Sequence, residues 1–283
     1  MGHIITDLKE AFRRGNVYIQ LIFINVGVFV ITTLIGILLQ LFNRSAAGIF
    51  ELLALPASFT RFAGQPWSIF TYMFMHAGFL HILFNMLWLY WFGALFLYFF
   101  SGKHLRGLYI VGGICGGLLY MISYNVFPYF RPMTAYSTMV GASASVLAIV
   151  VATAYREPNY PVRLLFFGNV RLKYLALIVV LTDLLFITSS NAGGHIAHLG
   201  GALAGLWFAA SLNKGKDITS WVNKALDAIA ALFSAKTWKR KPKMKVHYGN
   251  NTRQNDYDYN ARKKAQSDEI DPVSYTHLTL PTN

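Results

Sequence analysis

The chain has 283 residues, of which 55% are hydrophobic and only 13% are charged, and its formal net charge is +13. A soluble domain carries about 25% charged residues, so this composition excludes an ordinary soluble fold and a disordered chain. It indicates a protein that is mainly embedded in the lipid bilayer. Cys115 is the single cysteine, which excludes an intrachain disulfide and a cluster of zinc thiolates. We expect no cofactor and no metal.

Six apolar segments are long enough to cross a bilayer, which takes about 20 residues. They are residues 16–42, 80–100, 107–128, 133–155, 174–191 and 193–212. The predicted fold is therefore all-α, a polytopic membrane protein with six transmembrane helices. The loop 43–68 contains an apolar stretch ended by Pro56, which favours a re-entrant loop in the membrane interface over a plain connector.

The basic residues of the loops predict the orientation, because they concentrate on the cytoplasmic side of membrane proteins. With the N-terminus inside, the cytoplasmic segments before the basic tail hold Lys9, Arg13, Arg14, Lys103, Arg106, Arg156, Arg163, Arg171 and Lys173. The outer loops then hold Arg44, Arg61 and Arg131. We expect a multi-pass protein of the cell (inner) membrane with both termini in the cytoplasm. The second, fourth and sixth segments would begin at the outer face.

Polar residues lie in those three outer ends, where ionisable groups are costly and are therefore functional candidates. His81 and Asn85 are four residues apart and share a helix face, while Ser143 and His198 lie in the fourth and sixth segments. A serine becomes a nucleophile when a histidine accepts its proton, and amide or imidazole N–H groups can hold an oxyanion. The four residues predict such a site about 10 Å below the outer surface.

Glycines accompany these residues and predict close helix packing. Gly201 and Gly205 form a small-xxx-small stripe that would let the sixth segment approach the fourth, which holds Gly141. Each residue alone has a structural alternative, since a serine can bond to its own helix and a buried histidine can be structural. Ser145 is a rival nucleophile, but it faces about 200° away from Ser143 on a helix.

Together these residues resemble the rhomboid intramembrane serine proteases over about residues 67–212. The family pattern is His-xxx-Asn, Gly-x-Ser and Ala-His-xx-Gly-xxx-Gly. The matching residues are His81, Asn85, Gly141, Ser143, Ala197, His198, Gly201 and Gly205. The resemblance implies a six-helix bundle with a water-filled cavity that opens outward.

By this resemblance Ser143 is the nucleophile and His198 the base. Asn85, His81 and the Ser143 backbone N–H would form the oxyanion hole. The implied activity is that of a serine endopeptidase that cleaves single-span membrane proteins near the outer face, at small side chains, using a Ser-His dyad without an acidic third member. Asp183 is the single acid within a predicted segment, and the sequence names no partner for it.

Three positions depart from the family pattern. Ala144 stands where a glycine is usual, Leu147 where an aromatic residue is frequent, and Ser68 follows Trp67 where an arginine is frequent. These departures leave open a second function, that of a catalytically weak or inactive rhomboid-like protein that binds client transmembrane helices.

A metal site or metal transporter built from His76, His81, His195 and His198 is a further alternative. It is disfavoured because His76 and His81, five residues apart, do not share a helix face, and no HExxH motif is present. No inverted repeat indicates a transporter. The expected partners are membrane-protein substrates and the bilayer itself, and no nucleic acid, because no reader motif accompanies the basic charge.

The remaining sequence divides around the membrane domain of residues 16–212. Residues 1–15 form a predicted cytoplasmic N-terminus, and residues 213–271 a basic cytoplasmic tail. The tail has an amphipathic helix over 217–233 on the inner leaflet, and it resembles the start of a short helical tail of some Bacteroidota-type rhomboids. Residues 272–283 resemble the translation of a transposon-derived sequencing adapter, so we expect them to be non-native and the natural protein to be truncated near Asp271.

Overall fold

The computed structural model describes residue 12 and residues 15–164, 168–232 and 252–270. The chain divides into two compact units, Met1–Leu232 and Phe233–Asn283. Part of the predicted basic tail (residues 233–251), residues 272–283 and most of residues 1–15 lie outside the described residues. The mainly helical composition agrees with the predicted all-α class.

The first unit holds ten of the helices described and two short antiparallel strand pairs. The helices of both units, in chain order, are α1 Val17–Leu41, α2 Ala47–Leu53, α3 Phe59–Gly64, α4 Ser68–Thr71, α5 Phe79–Phe99, α6 Gly102–Val126, α7 Ser143–Arg156, α8 Leu172–Leu185, α9 Ala192–Asn213, α10 Ser220–Leu232 and α11 Thr252–Ile270. The strands are β1 Leu55–Pro56, β2 Thr138–Met139, β3 Pro161–Leu164 and β4 Gly168–Arg171. Short 3₁₀ turns lie at Tyr72–Phe74 and Arg131–Met133.

Four of these helices, α1, α5, α6 and α9, are long and apolar enough to cross a membrane. Helices α7 and α8 have 14 residues each, which gives a length of about 21 Å against a hydrocarbon core of about 30 Å. All six predicted segments contain a helix. The protein is therefore a multi-pass membrane protein, while the count of six complete spans stays a prediction.

The fourth segment differs from its prediction at its start. A helix was expected from residue 133, but α7 begins at Ser143. The residues before it form a 3₁₀ turn and strand β2, which pairs with β1 through Leu55 with Met139 and Pro56 with Thr138. This long-range pairing takes the chain out of the helix, and it places Ser143 at a helix start instead of a helix interior.

Helices α6, α7 and α9 pack together at the centre of the first unit because glycines remove the side chains between them. A β-carbon on Gly201 would collide with the carbonyl oxygen of Ala144, and one on Gly205 would collide with that of Ala148. On the other side of α9, a β-carbon on Gly200 would lie 2.7 Å from the carbonyl oxygen of Cys115. The backbones of α7 and α9 are therefore in direct contact one turn from His198.

The loop between α1 and α5 is folded, with short helices where an interfacial loop was predicted. The last carbonyl groups of α2 accept hydrogen bonds from side chains that follow in the chain. Trp67 Nε1 donates to Leu52 at 2.9 Å, and Thr71 Oγ1 donates to Leu53 at 2.7 Å. These bonds cap α2 and fix the loop to the start of α4.

Helix α10 packs against the start of α6, and the first compact unit therefore extends beyond the predicted boundary at residue 212. The amide of Asn223, which is 7% exposed, joins the two helices. Its Oδ1 accepts two hydrogen bonds from Arg106, at 2.9 and 3.1 Å, and its Nδ2 donates to the Lys103 carbonyl oxygen at 3.1 Å. In the second unit, the described helix is the polar α11.

Candidate active site

Ser143 is the first residue of α7, at the end of the bundle where α9 also begins. The first intrahelical hydrogen bond runs from the Val146 N–H to the Ala142 carbonyl oxygen. The N–H groups of the first turn, including that of Ser143, therefore have no partner within the helix and point toward its N-terminal end. They give this end of α7 a partial positive charge.

Gly141 does not lie within a helix, so its predicted role in helix packing is corrected. It precedes α7 with a φ of +136°, a backbone conformation that residues with a β-carbon rarely adopt. A β-carbon at this position would lie 2.9 Å from two atoms of the His81 ring and 3.6 Å from Ser143 Oγ. The glycine thus leaves room for the His81 imidazole beside the serine.

A cavity of about 480 Å³ brings the four predicted site residues His81, Asn85, Ser143 and His198 together. They come from α5, α7 and α9. The rest of its lining is Ala77, Tyr124, Ser137, Thr138, Met139, Val140, Ser190, Asn191, Gly193 and Gly194. Polar side chains and backbone groups of the connecting loops thus surround the serine, as in a pocket that admits water.

The tautomer of His81 follows from its surroundings. The backbone N–H of Ala77 donates a hydrogen bond to His81 Nδ1 at 3.4 Å. Since a backbone amide only donates, Nδ1 is the acceptor and the neutral ring carries its hydrogen on Nε2. Nε2 is one of the two ring atoms that would lie 2.9 Å from a β-carbon on Gly141, two residues before Ser143.

Asn85 is buried one helical turn beyond His81. Its Nδ2 donates to the His81 carbonyl oxygen at 2.8 Å, which orients the amide. An amide nitrogen has two hydrogens, so the second one remains available to a group in the cavity.

His198 is bonded to an acid, which corrects the expectation of a dyad without an acidic neighbour. Its Nδ1 lies 2.8 Å from Asp183 Oδ1, and Nδ1 of His195 lies at the same distance from the same oxygen. Asp183 is in the last turn of α8, and the tight connection to α9 places it beside both histidines. Within the described residues, no hydrogen bond joins the His198 ring to Ser143.

A second cavity, of about 200 Å³, adjoins the first at Asn85, Ser143 and His198. Its other lining residues are apolar: Phe84, Trp88, Val146, Leu147 and Val179. The site therefore combines a polar pocket with an apolar recess, and the serine lies where they meet.

The neighbouring residues that the sequence singled out have different surroundings. Ser145 is 1% exposed, its hydroxyl has no hydrogen-bond partner among the described residues, and it lines neither of the two cavities. His76 is 2% exposed, and its ring lies edge-on to that of His81 with centroids 5.1 Å apart. Burial, and to a lesser extent the neighbouring His81, lower the pKa of His76 from 6.5 to about 4.

The four histidines of the metal alternative are not brought together as one set. Among the described residues, the group of three potential metal ligands is Asp183, His195 and His198, whose ligand atoms lie within 4.8 Å of one another. His76 and His81 pair separately at the start of α5.

Two comparisons with known proteins concern this region. The family model of the rhomboid domain matches residues 63–214. The chain is 29% identical over 163 residues to RHOMBOID-like protein 12, mitochondrial, of Arabidopsis thaliana, and the alignment covers 54% of this chain and 48% of that protein. The chain thus spans about half the length of the curated relative that it matches.

Proposed function

Because the chain belongs to the rhomboid family, we propose that it is an intramembrane serine endopeptidase that cleaves transmembrane helices of membrane-protein substrates. One observation carries the proposal: Ser143, His198, Asn85 and His81 line one polar cavity that adjoins an apolar recess. A hydroxyl, an imidazole and two further N–H donors around a single pocket are the groups that acyl transfer requires.

In the proposed mechanism, Ser143 Oγ attacks the carbonyl carbon of the scissile peptide while His198 Nε2 accepts its proton. The negative charge moves to the carbonyl oxygen. The C–N bond then breaks, and the proton on His198 passes to the leaving amine. Water attacks the resulting ester, again with His198 as the base, and the ester bond breaks as Ser143 regains its hydrogen.

Three N–H donors are suited to holding the oxyanion. His81 is in the tautomer that carries its hydrogen on Nε2, on the side of the ring next to Gly141, and Asn85 has a second amide hydrogen. The backbone N–H of Ser143 belongs to the unpaired first turn of α7 and adds the positive end of the helix dipole. Donors that are fixed before the reaction lose no energy in reorganising around the developing charge.

The apolar recess suits a side chain next to the cleaved bond. With about 200 Å³ and walls that include Trp88, Val146 and Leu147, it fits a small or medium apolar group better than a charged one. A substrate helix must unwind at this point, because a helical peptide buries the carbonyl group that the serine attacks.

We further propose that the site opens toward the outer face of the cell membrane and that both termini are cytoplasmic. The supporting observation is the distribution of Lys and Arg in the loops. More of them lie at the ends of α5, α7 and α9 that are distant from the site, and such residues concentrate on the cytoplasmic side. Single-span membrane proteins are the substrate class that would reach such a site from the bilayer.

The second candidate function is that of a rhomboid-like protein that binds client helices without cutting them efficiently. Two observations favour it: Ala144 replaces the usual glycine, and the described residues show no hydrogen bond between Ser143 and His198. Catalytic hydrogen bonds often form fully only with substrate bound, so the protease remains the better supported function.

Cleavage of a single-span model substrate in proteoliposomes tests the proposal. We expect cleavage by the wild type and by Ser145→Ala, a matched control that removes a neighbouring buried hydroxyl outside both cavities. Ser143→Ala and His198→Ala should show none. A wild type that retains the substrate without cutting it would support the binding function, and cleavage by Ser143→Ala would exclude Ser143 as the nucleophile.

A further inference from the structure

Asp183 is the single acidic residue that is buried within the described part of the chain, with 4% exposure. A carboxylate in such a place is costly unless hydrogen-bond donors compensate for lost water. Its Oδ1 has two donors, Nδ1 of His195 and Nδ1 of His198, each at 2.8 Å. Asp183, His195 and His198 form one hydrogen-bonded cluster, which we call the aspartate cluster.

The aspartate cluster determines where the hydrogen of His198 lies. An ionised carboxylate only accepts, so the hydrogen of a neutral His198 ring must be on Nδ1. Nε2, on the opposite side of the imidazole ring from Nδ1, then carries a lone pair. The His198 ring lines the same cavity as Ser143. This is the tautomer that a base needs in order to accept the proton of a serine.

Metal coordination explains the distances less well. Zinc bound by nitrogen or oxygen at about 2.0–2.1 Å in tetrahedral geometry separates two ligand atoms by about 3.3 Å. The separation here is 2.8 Å for both pairs, which is the usual length of a charge-assisted N–H to oxygen hydrogen bond.

We propose that Asp183 is a positioning residue that acts through His198, and that His195 is the second hydrogen-bond donor to the Oδ1 atom of the buried carboxylate. The protein would then use an acid, a histidine and a serine from three helices, α8, α9 and α7. The inference rests on the proposed peptidase activity for its kinetic test and on the aspartate cluster alone for its spectroscopic test.

The kinetic test compares Asp183→Asn, Asp183→Glu and His195→Gln with the wild type on the model substrate. An asparagine can donate to His198 Nδ1 and stabilise the wrong tautomer, so we expect kcat to fall by about 10²- to 10⁴-fold with KM within a few-fold. Asp183→Glu, which restores an acceptor, should recover part of kcat. His195→Gln leaves the Asp183 to His198 bond and should lose less than about tenfold.

The spectroscopic test uses ¹⁵N-histidine-labelled protein, with His198→Gln to assign the signal, and needs no activity. At mildly alkaline pH we expect hydrogen on Nδ1 of His198 in the wild type and a shift toward Nε2–H in Asp183→Asn. Hydrogen on Nε2 in the wild type would overturn the inference, even if Asp183→Asn did not fold.

Two further outcomes would also overturn it. One is a folded Asp183→Asn variant with wild-type kcat, while Ser143→Ala is inactive; the proposed function would then stand without the positioning role. The other is loss of activity on treatment with EDTA and recovery with Zn²⁺, which would assign the aspartate cluster to a metal. Failure of the wild type to cleave at all would refute the proposed function alone, and the NMR result would decide on Asp183.

Discussion

A side chain on Gly116 would collide with the methyl group of Ala144, because a β-carbon built on Gly116 lies 2.6 Å from that methyl carbon. The alanine that follows the candidate nucleophile, where the rhomboid pattern usually has glycine, thus packs against a glycine of α6. The space that its methyl group needs is supplied by the neighbouring helix, so α7 can keep its approach to α6.

This pairing predicts that Gly116→Ala destabilises the protein by about 1–3 kcal/mol, since the inserted methyl group has no room. Ala144→Gly should restore part of the loss in the double variant. Recovery will be incomplete, because the new β-carbon also lies 2.8 Å from the Ala197 carbonyl oxygen. Thermal unfolding in detergent measures the stability of the wild type, the two single variants and the double variant. Equal losses with and without Ala144→Gly would show that the two positions are independent.

Gly201→Ala should be more damaging, because its methyl group would meet the backbone carbonyl of Ala144, which cannot rotate away. We expect a loss of at least about 2 kcal/mol and a fall in cleavage as α9 and His198 move away from Ser143. Gly27→Ala in α1 is the matched control, since no atom of the described residues lies within 4 Å of the position that its new β-carbon would take. Similar stability and activity for the two variants would contradict the close packing of α7 and α9.

Asn85→Ala should lower kcat by about 10²- to 10³-fold and leave KM nearly unchanged, because the amide is expected to bind the oxyanion more strongly than the substrate carbonyl. The control is Asn125→Ala, which removes an amide outside both cavities. That amide donates to the Ala57 and Met121 carbonyl oxygens, each at 2.8 Å. A variant at Asn125 should lose stability but retain kcat. If the two variants lost kcat equally, Asn85 would have only a structural role.

The burial of His76 should make the folded protein less stable at acidic pH. The pKa of the buried ring is about 4 in the folded protein, against 6.5 for the ordinary residue. Below pH 6.5, His76 binds a proton in the unfolded chain but stays neutral in the folded protein. The free energy of unfolding therefore falls by up to about 3 kcal/mol as the pH approaches 4. Above pH 6.5 this residue has no effect. Thermal unfolding of His76→Phe across the same range should show a shallower decline, and an unchanged decline would assign it to other groups.

The sequence was sufficient to single out His81, Asn85, Ser143 and His198 as one candidate site, because each belongs to a short motif with fixed spacing. His81 and Asn85 are one turn apart, so any α-helix places them together. The small-residue stripe of Gly201 and Gly205 likewise indicated a close contact for α9. The spacing of residues along one helix fixes which of them share a face, independently of the tertiary fold.

The aspartate cluster could not be predicted in this way. Asp183 is 12 and 15 residues from its partners, and its contact with them depends on how tightly the chain turns between α8 and α9. The start of α7 was misplaced for a similar reason, because β2 pairs with a strand more than 80 residues earlier. The sequence did give one indication. Asp183 is a single acidic residue in an apolar segment, and such a group needs a hydrogen-bonding or charged partner.

The most direct measurement of the central claim is labelling of the folded protein in detergent with a fluorophosphonate, followed by peptide mass spectrometry. Such a reagent reacts with a serine whose hydroxyl is activated by a base and whose adduct is held by an oxyanion hole. We predict a single adduct on Ser143 in the wild type, retained in Ser145→Ala and absent from Ser143→Ala and His198→Ala. A folded wild type that takes no label, or a label that persists in Ser143→Ala, would contradict the account.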